Sequence, residues 1–260
     1  MNYIQLITIL ILTVLIAYVL WNLFFNKKKK SKQKLPESWR NILTEKVSFY
    51  NALNATNKKR FEQDLMSFLA HTQVTGVGFK ATDTDKILVA SSGIIPLFGF
   101  PDWYYTNLDE VLLYPNAFNE HFETNGKDRN IGGMVGTGTL SRKMILSKPS
   151  LYQGFENEQS KRNVGIHEFV HLLDMHDGAV DGLPENLLAK QYTIPWLKLI
   201  HEKTKLIKKG KSDIRPYGAT NEAEFFSVVS EYFFKRPELM KEKHPEMFEI
   251  LEAVFNQDLA

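Results

Sequence analysis

The stretch His167-Glu168-Phe169-Val170-His171 sets two histidines four residues apart inside an apolar run from Ile166 to Leu173. Positions i and i+4 share one face of an α-helix, so the two imidazoles can meet at one ion. Glu168 is rotated by about 100° from His167, which places its carboxylate beside that ion as a proton acceptor rather than as a ligand. Ile166, Phe169, Val170, Leu172 and Leu173 cover the other sides of the helix, as the floor of a cleft requires. A solvated helix with this pattern by chance is the competing reading, and the apolar flanks argue against it. Asp174 falls three residues after His171, back on the histidine face. A carboxylate there can accept the second N–H of a liganding imidazole, and pairing with solvent or a lysine is its bland alternative.

A catalytic zinc takes three protein ligands and leaves one position open. The chain has no cysteine, so His, Asp or Glu must supply the third. His176 and Asp177 are the near candidates. The distant one is Glu224, in Thr220-Asn221-Glu222-Ala223-Glu224-Phe225-Phe226, a capped helix whose face carries Glu224 and Glu231 seven residues apart among Phe225, Val228, Val229 and Tyr232. Two carboxylates on so apolar a face need partners, because an unpaired buried carboxylate is costly. Glu224 is the choice for the metal and Glu231 for a supporting role, such as holding a histidine. Tyr217, just ahead of this helix, can reach the cleft and donate to a developing oxyanion.

Tyr3 to Phe25 carries no charge and is long enough to span the ~30 Å hydrocarbon core as a helix. Tyr3, Tyr18 and Trp21 near its ends, and Lys27, Lys28, Lys29, Lys30, Lys32 and Lys34 after it, predict a single-pass anchor with the rest of the chain in the cytoplasm. Trp21 to Phe25 makes a poor signal-cleavage site. The expected organisation is a transmembrane anchor at 1–26, a basic juxtamembrane linker at 27–35 and a catalytic domain at 36–260. A net charge of +2 over 260 residues carries no nucleic-acid signature, and none is expected to bind directly.

Within the domain, Pro36 to Phe49, a segment capped by Thr56, the stretch from Thr82–Thr84 to before Pro96, and Ile194 to Lys208 read as helices. Glu110 to Tyr114 reads as a buried strand, Asn125 to Gly138 as a glycine-rich loop and Gly138 to Ser147 as one or two strands. Lys143 to Ser147 is a candidate edge strand for a substrate backbone, with an ordinary internal strand as the stronger alternative. The glycines of the loop do not fit a phosphate-binding pattern.

Asp109-Glu-Val-Leu-Leu-Tyr-Pro115, Leu140-Ser141, the run Asn163 to Met175 and the run Tyr217 to Phe234 together resemble the Mlc titration factor A family of zinc peptidases. The resemblance covers about Pro36 to the C-terminus. It implies a gluzincin-like site with His167, His171 and Glu224 on zinc, Glu168 as base and Tyr217 near the oxyanion. It further implies aminopeptidase-type activity on a peptide or protein substrate and sequestration of a transcriptional repressor, although familiar members lack the N-terminal apolar segment. The expectation is an α+β zincin-like metallopeptidase domain, mostly helical with a small sheet. The rival is a regulator-binding protein whose metal site has little or no activity.

Overall fold

The computed structural model of the chain describes residues 2–25, 34–101 and 103–260 and, within its first helix, the side chains of residues 2, 3, 5–16 and 18. The lysines at 27–30 and 32, and the side chain of Trp21, lie outside the described residues. Tyr3–Phe25 forms a helix, α1. No helix among the described residues is long and apolar enough to cross a membrane. This overturns the expected single-pass anchor and the membrane location drawn from it.

The helices α2 (Glu37–Lys46), α3 (Ser48–Ala52) and α4 (Ala55–His71) come next, then strand β1 (Gln73–Gly76), helix α5 (Asp83–Leu97) and strands β2 (Glu110–Tyr114), β3 (Gly133–Val135) and β4 (Lys143–Ser147). Helices α6 (Lys148–Glu156), α7 (Val164–Asp174), α8 (Lys190–Lys208), α9 (Glu222–Lys235), α10 (Pro237–Lys243) and α11 (Pro245–Phe255) complete the chain. The helix after Leu53 starts earlier than expected, because Asn54 caps it: its side chain accepts from the Asn57 N–H at 2.9 Å. Thr82 and Asp85 close a capping box at the start of α5. Pro96 falls inside the last turn of α5, and Pro195 lies inside α8, which therefore begins four residues before the expected Ile194.

The sheet has the order β1-β2-β4-β3, with β1, β2 and β4 parallel and β3 antiparallel to β4. Lys143 to Ser147 is thus an internal strand, and the edges belong to β1 and to β3, the latter within the stretch expected to be a loop. Glycine is poorly represented in strands, which hides β3 from a propensity reading. Here Gly133 is needed for space, since a Cβ on it would stand 2.7 Å from Cγ of Glu168.

Helix α7 packs between α5 and α9, with β3 and β4 along its flank. It comes close to α5 because small residues face each other: a Cβ on Gly93 would lie 2.8 Å from the Phe169 ring, and one on Gly165 would lie 2.8 Å from Cβ of Ser92. Phe169, Val170, Phe225, Phe226, Val229 and Phe233 have no solvent exposure, so the histidine helix and the glutamate helix share one core. Burying such side chains is worth about 1.5–3 kcal/mol each, which makes their relative placement rigid.

Candidate metal centre

Asn163 starts the histidine helix, accepting the Ile166 N–H on its side-chain oxygen at 3.1 Å. Asn221 starts the glutamate helix, accepting the Glu224 N–H at 2.8 Å. The two helices that carry the cluster are thus capped four residues before His167 and three before Glu224. His167 Nε2 lies 3.0 Å from Glu224 Oε2 and 3.2 Å from His171 Nε2, and His171 Nε2 lies 3.5 Å from Glu224 Oε2. Among the described residues these three form the group of side chains able to hold a metal. Donor atoms 2.0–2.1 Å from a tetrahedral ion stand about 3.3 Å apart, so the observed triangle matches the donor set a divalent metal requires.

The other nitrogen of His167 carries the second half of the argument. Nδ1 lies 2.7 Å from Glu231 Oε1, and Glu231 is fully buried. A hydrogen on Nδ1 donated to that carboxylate leaves the Nε2 lone pair facing Glu224 Oε2, itself an acceptor. Two acceptors in contact call for a cation between them, a metal or a proton. In the metal-free chain the proton serves: burial disfavours the charged ring, but hydrogen bonds to Glu224 and Glu231 outweigh it and hold the His167 pKa at about 10. Burial acts the other way on Glu224, yet the bonds to His167 and His171 keep its carboxyl well below the usual range.

Glu168 is 6 % exposed, and its carboxyl makes no hydrogen bond among the described residues. Burial raises its pKa, while the nearby His167 and His171 pull it down. A buried carboxylate with no fixed partner is costly and suited to passing a proton. The Tyr217 hydroxyl donates to Glu224 Oε1 at 3.1 Å, and its ring centroid lies 5.9 Å from that of His167. Burial and then Glu224 push the phenol up to about 12, so it is a donor at neutral pH.

Asp174 stands elsewhere. Its Oδ2 accepts the Gly182 N–H at 2.9 Å, its Oδ1 has no partner, and no hydrogen bond joins it to either histidine of the cluster. The Gly182 carbonyl accepts from Trp196 Nε1 at 2.8 Å, and Gly182, at φ +73°, abuts the Glu222 carbonyl. Asp174 thus fixes the loop against which the first turn of α9 rests. His176 and Asp177 lie outside the cluster: His176 Nδ1 meets Asn186 Nδ2 at 3.1 Å, and Asp177 accepts the N–H groups of Ala179 and Glu185.

Three participants escape the sequence. Asn163 also donates its own N–H to Glu231 Oε2 at 2.6 Å; its capping role is legible ahead of an apolar run, this bond is not. Gly133 gives Glu168 its room. Arg215 forms an ion pair with Glu231, and nothing in its local sequence signals a partner sixteen residues on.

A mixed sheet flanked by helices, with a two-histidine, one-glutamate cluster formed between two of those helices, is a metallopeptidase-like fold with a candidate metal site. The chain belongs to the family described as glucose-regulated metallo-peptidase M90, whose model matches residues 22–256. It is 28% identical to an uncharacterized protein of Synechocystis sp. over 95% of this chain and 96% of that one. It is 30% identical to Mlc titration factor A of Pectobacterium atrosepticum over 65% of this chain and 64% of the relative, and 25% identical to that of Escherichia fergusonii over 86% and 87%.

Proposed function

We propose that the chain is a zinc-dependent metallopeptidase in which His167, His171 and Glu224 hold the ion and residues 36–260 form the catalytic domain. The observation that carries this reading is the triangle of donor atoms, 3.0, 3.2 and 3.5 Å on its sides. A bound zinc supplies Lewis-acid polarisation of a carbonyl and of water. Glu168 takes the proton released at the attacking water and returns it to the departing amine, work that its raised pKa suits. Tyr217, held near the site by its bond to Glu224 Oε1, turns its one hydroxyl hydrogen from that carboxylate to the oxyanion that forms. Glu231 orients the His167 ring. The β3 edge, with Gly133 against Glu168, offers backbone groups for an extended peptide. Aminopeptidase-type cleavage is the mode that the family resemblance implies.

The test is zinc content of the purified chain followed by cleavage of a peptide panel by wild type and Glu168→Gln. Zinc in both proteins with turnover in wild type alone supports the reading. Zinc in both with turnover in neither favours the second reading, drawn from the name Mlc titration factor A borne by several relatives: a protein that binds a transcriptional regulator and uses its metal site little or not at all. Co-elution with such a regulator checks that reading directly.

A further inference from the structure

We infer that Arg215 is a positioning residue of the metal centre, fixing through Glu231 the orientation in which His167 presents Nε2. The inference rests on the reading of His167, His171 and Glu224 as ligands. Glu231 has no solvent exposure and takes donors on both oxygens: the Asn163 N–H at 2.6 Å on Oε2, and His167 Nδ1 at 2.7 Å together with the Arg215 guanidinium on Oε1. Asn163 is a backbone donor locked in the cap of α7, so it holds the carboxylate at one end only. The other end is shared, and Arg215 is the cation that reaches it.

The two neighbouring cations cannot take its place. Lys161 is held by Asp213 at 2.6 Å, and Arg162 is an exposed residue lining the same cavity of about 340 Å³ as Arg215 and Lys161. Arg215 itself is fixed from two sides. It precedes Pro216, which confines its backbone to the extended region in which it is found, at φ −63° and ψ 148°. Its guanidinium carbon sits 5.4 Å from the centre of the Tyr217 ring. A planar guanidinium can press a face on a ring while its edge donates to a carboxylate, which a lysine ammonium cannot do. With Arg215 in place, Oε1 of Glu231 is pinned where the Nδ1 hydrogen of His167 must point. Without it, the carboxylate can turn about its Asn163 bond and the imidazole loses its fixed angle.

The experiment measures the zinc dissociation constant of the full chain by competition with a chromogenic chelator, for wild type, Arg215→Met, Arg215→Lys, Glu231→Gln, the double variant Arg215→Met/Glu231→Gln, and His171→Ala. Partners that orient a metal ligand typically change affinity by about 10–100-fold. Arg215→Met is expected to weaken zinc about tenfold, with partial recovery in Arg215→Lys, and to have no further effect when combined with Glu231→Gln. Thermal unfolding of the metal-free proteins identifies a variant that fails to fold, in which case Arg215→Lys carries the comparison. Wild-type affinity in Arg215→Met alongside loss in His171→Ala overturns the inference, as does an Arg215→Met effect that persists undiminished in the Glu231→Gln background. Wild-type affinity in His171→Ala overturns the ligand reading itself, a separate result.

Discussion

Replacing Gly165 with alanine sets helix propensity against packing, and the structure decides the sign. Glycine inside a helix is about 0.8–1.0 kcal/mol less favourable than alanine, so on propensity alone Gly165→Ala stabilises the protein. The added methyl, however, would meet the Ser92 hydroxyl, lie 2.8 Å from Ser92 Cβ and 3.2 Å from Leu151 Cδ1. Carbon atoms pack best at about 3.5–4.0 Å, so α7 must move away from α5 by several tenths of an ångström. Turning the serine hydroxyl aside does not relieve the Cβ contact, and that hydroxyl is already bonded to the Leu88 carbonyl at 2.9 Å in a fully buried site. Overpacking of this kind costs about 1–3 kcal/mol, and tight helix-to-helix contact puts this case at the upper end, so the net loss is about 2 kcal/mol. At roughly 2–4 °C per kcal/mol for a protein of this size, the midpoint falls by about 4–8 °C. Urea unfolding of the single variants and the Gly165→Ala/Ser92→Gly double completes a cycle. In the Ser92→Gly background the same alanine is expected to be neutral or stabilising. An alanine that stabilises the unmodified protein, or that costs the same in both backgrounds, refutes the claim that these two backbones touch through Gly165.

Further outcomes follow from the same structure. Burial raises the Asp174 pKa from 3.8 to about 6, so the folded chain holds this proton more tightly than the unfolded one. Stability is then lost as pH rises from about 4 to about 6, by up to about 3 kcal/mol at 1.36 kcal/mol per pKa unit. The difference in unfolding free energy between wild type and Asp174→Asn across that window is the measurement, and a flat difference refutes it. Zinc at about a thousand times its dissociation constant adds about 4 kcal/mol to wild-type stability; a thermal-shift assay should show this rise, and show it abolished in Glu224→Ala. Trp196→Phe strips the Gly182 carbonyl of its donor and leaves a void in a fully buried site. The expected cost is about 2–4 kcal/mol by chemical denaturation, and a loss below about 1 kcal/mol would show the loop is held by other means.

Much of the site could be read before any coordinates. His167, His171 and Glu168 are linked by helical periodicity alone, since their spacing and the apolar residues between them state both geometry and burial. Glu224 and Glu231 are legible as two carboxylates on an apolar face, and that face does meet the histidine helix. The helix at 37–46 announces itself by its period, although the expected run to Phe49 breaks at Val47 into two helices, the one at 83–97 by its cap, and β2 by an apolar run ended by proline.

What local pattern states badly is anything set by a distant neighbour. The β3 strand is three residues long and opens on a glycine, and it exists because β4 pairs with it and Glu168 needs Gly133 to be small. Asp174 lies on the histidine face by periodicity, but the Gly182 amide captures its carboxylate first. The long apolar N-terminal segment announced a membrane span that no helix among the described residues provides. Arg215 meets Glu231 only because α7, α9 and the turn before α9 close on one point. The chain by itself determined which chemical groups are present and which face each helix turns inward, because those depend on short-range periodicity. Only the tertiary structure decided which carboxylate faces the histidines, which one steadies them and which merely braces a loop, because a carboxylate's partner is chosen by distances of about 3 Å between segments dozens of residues apart.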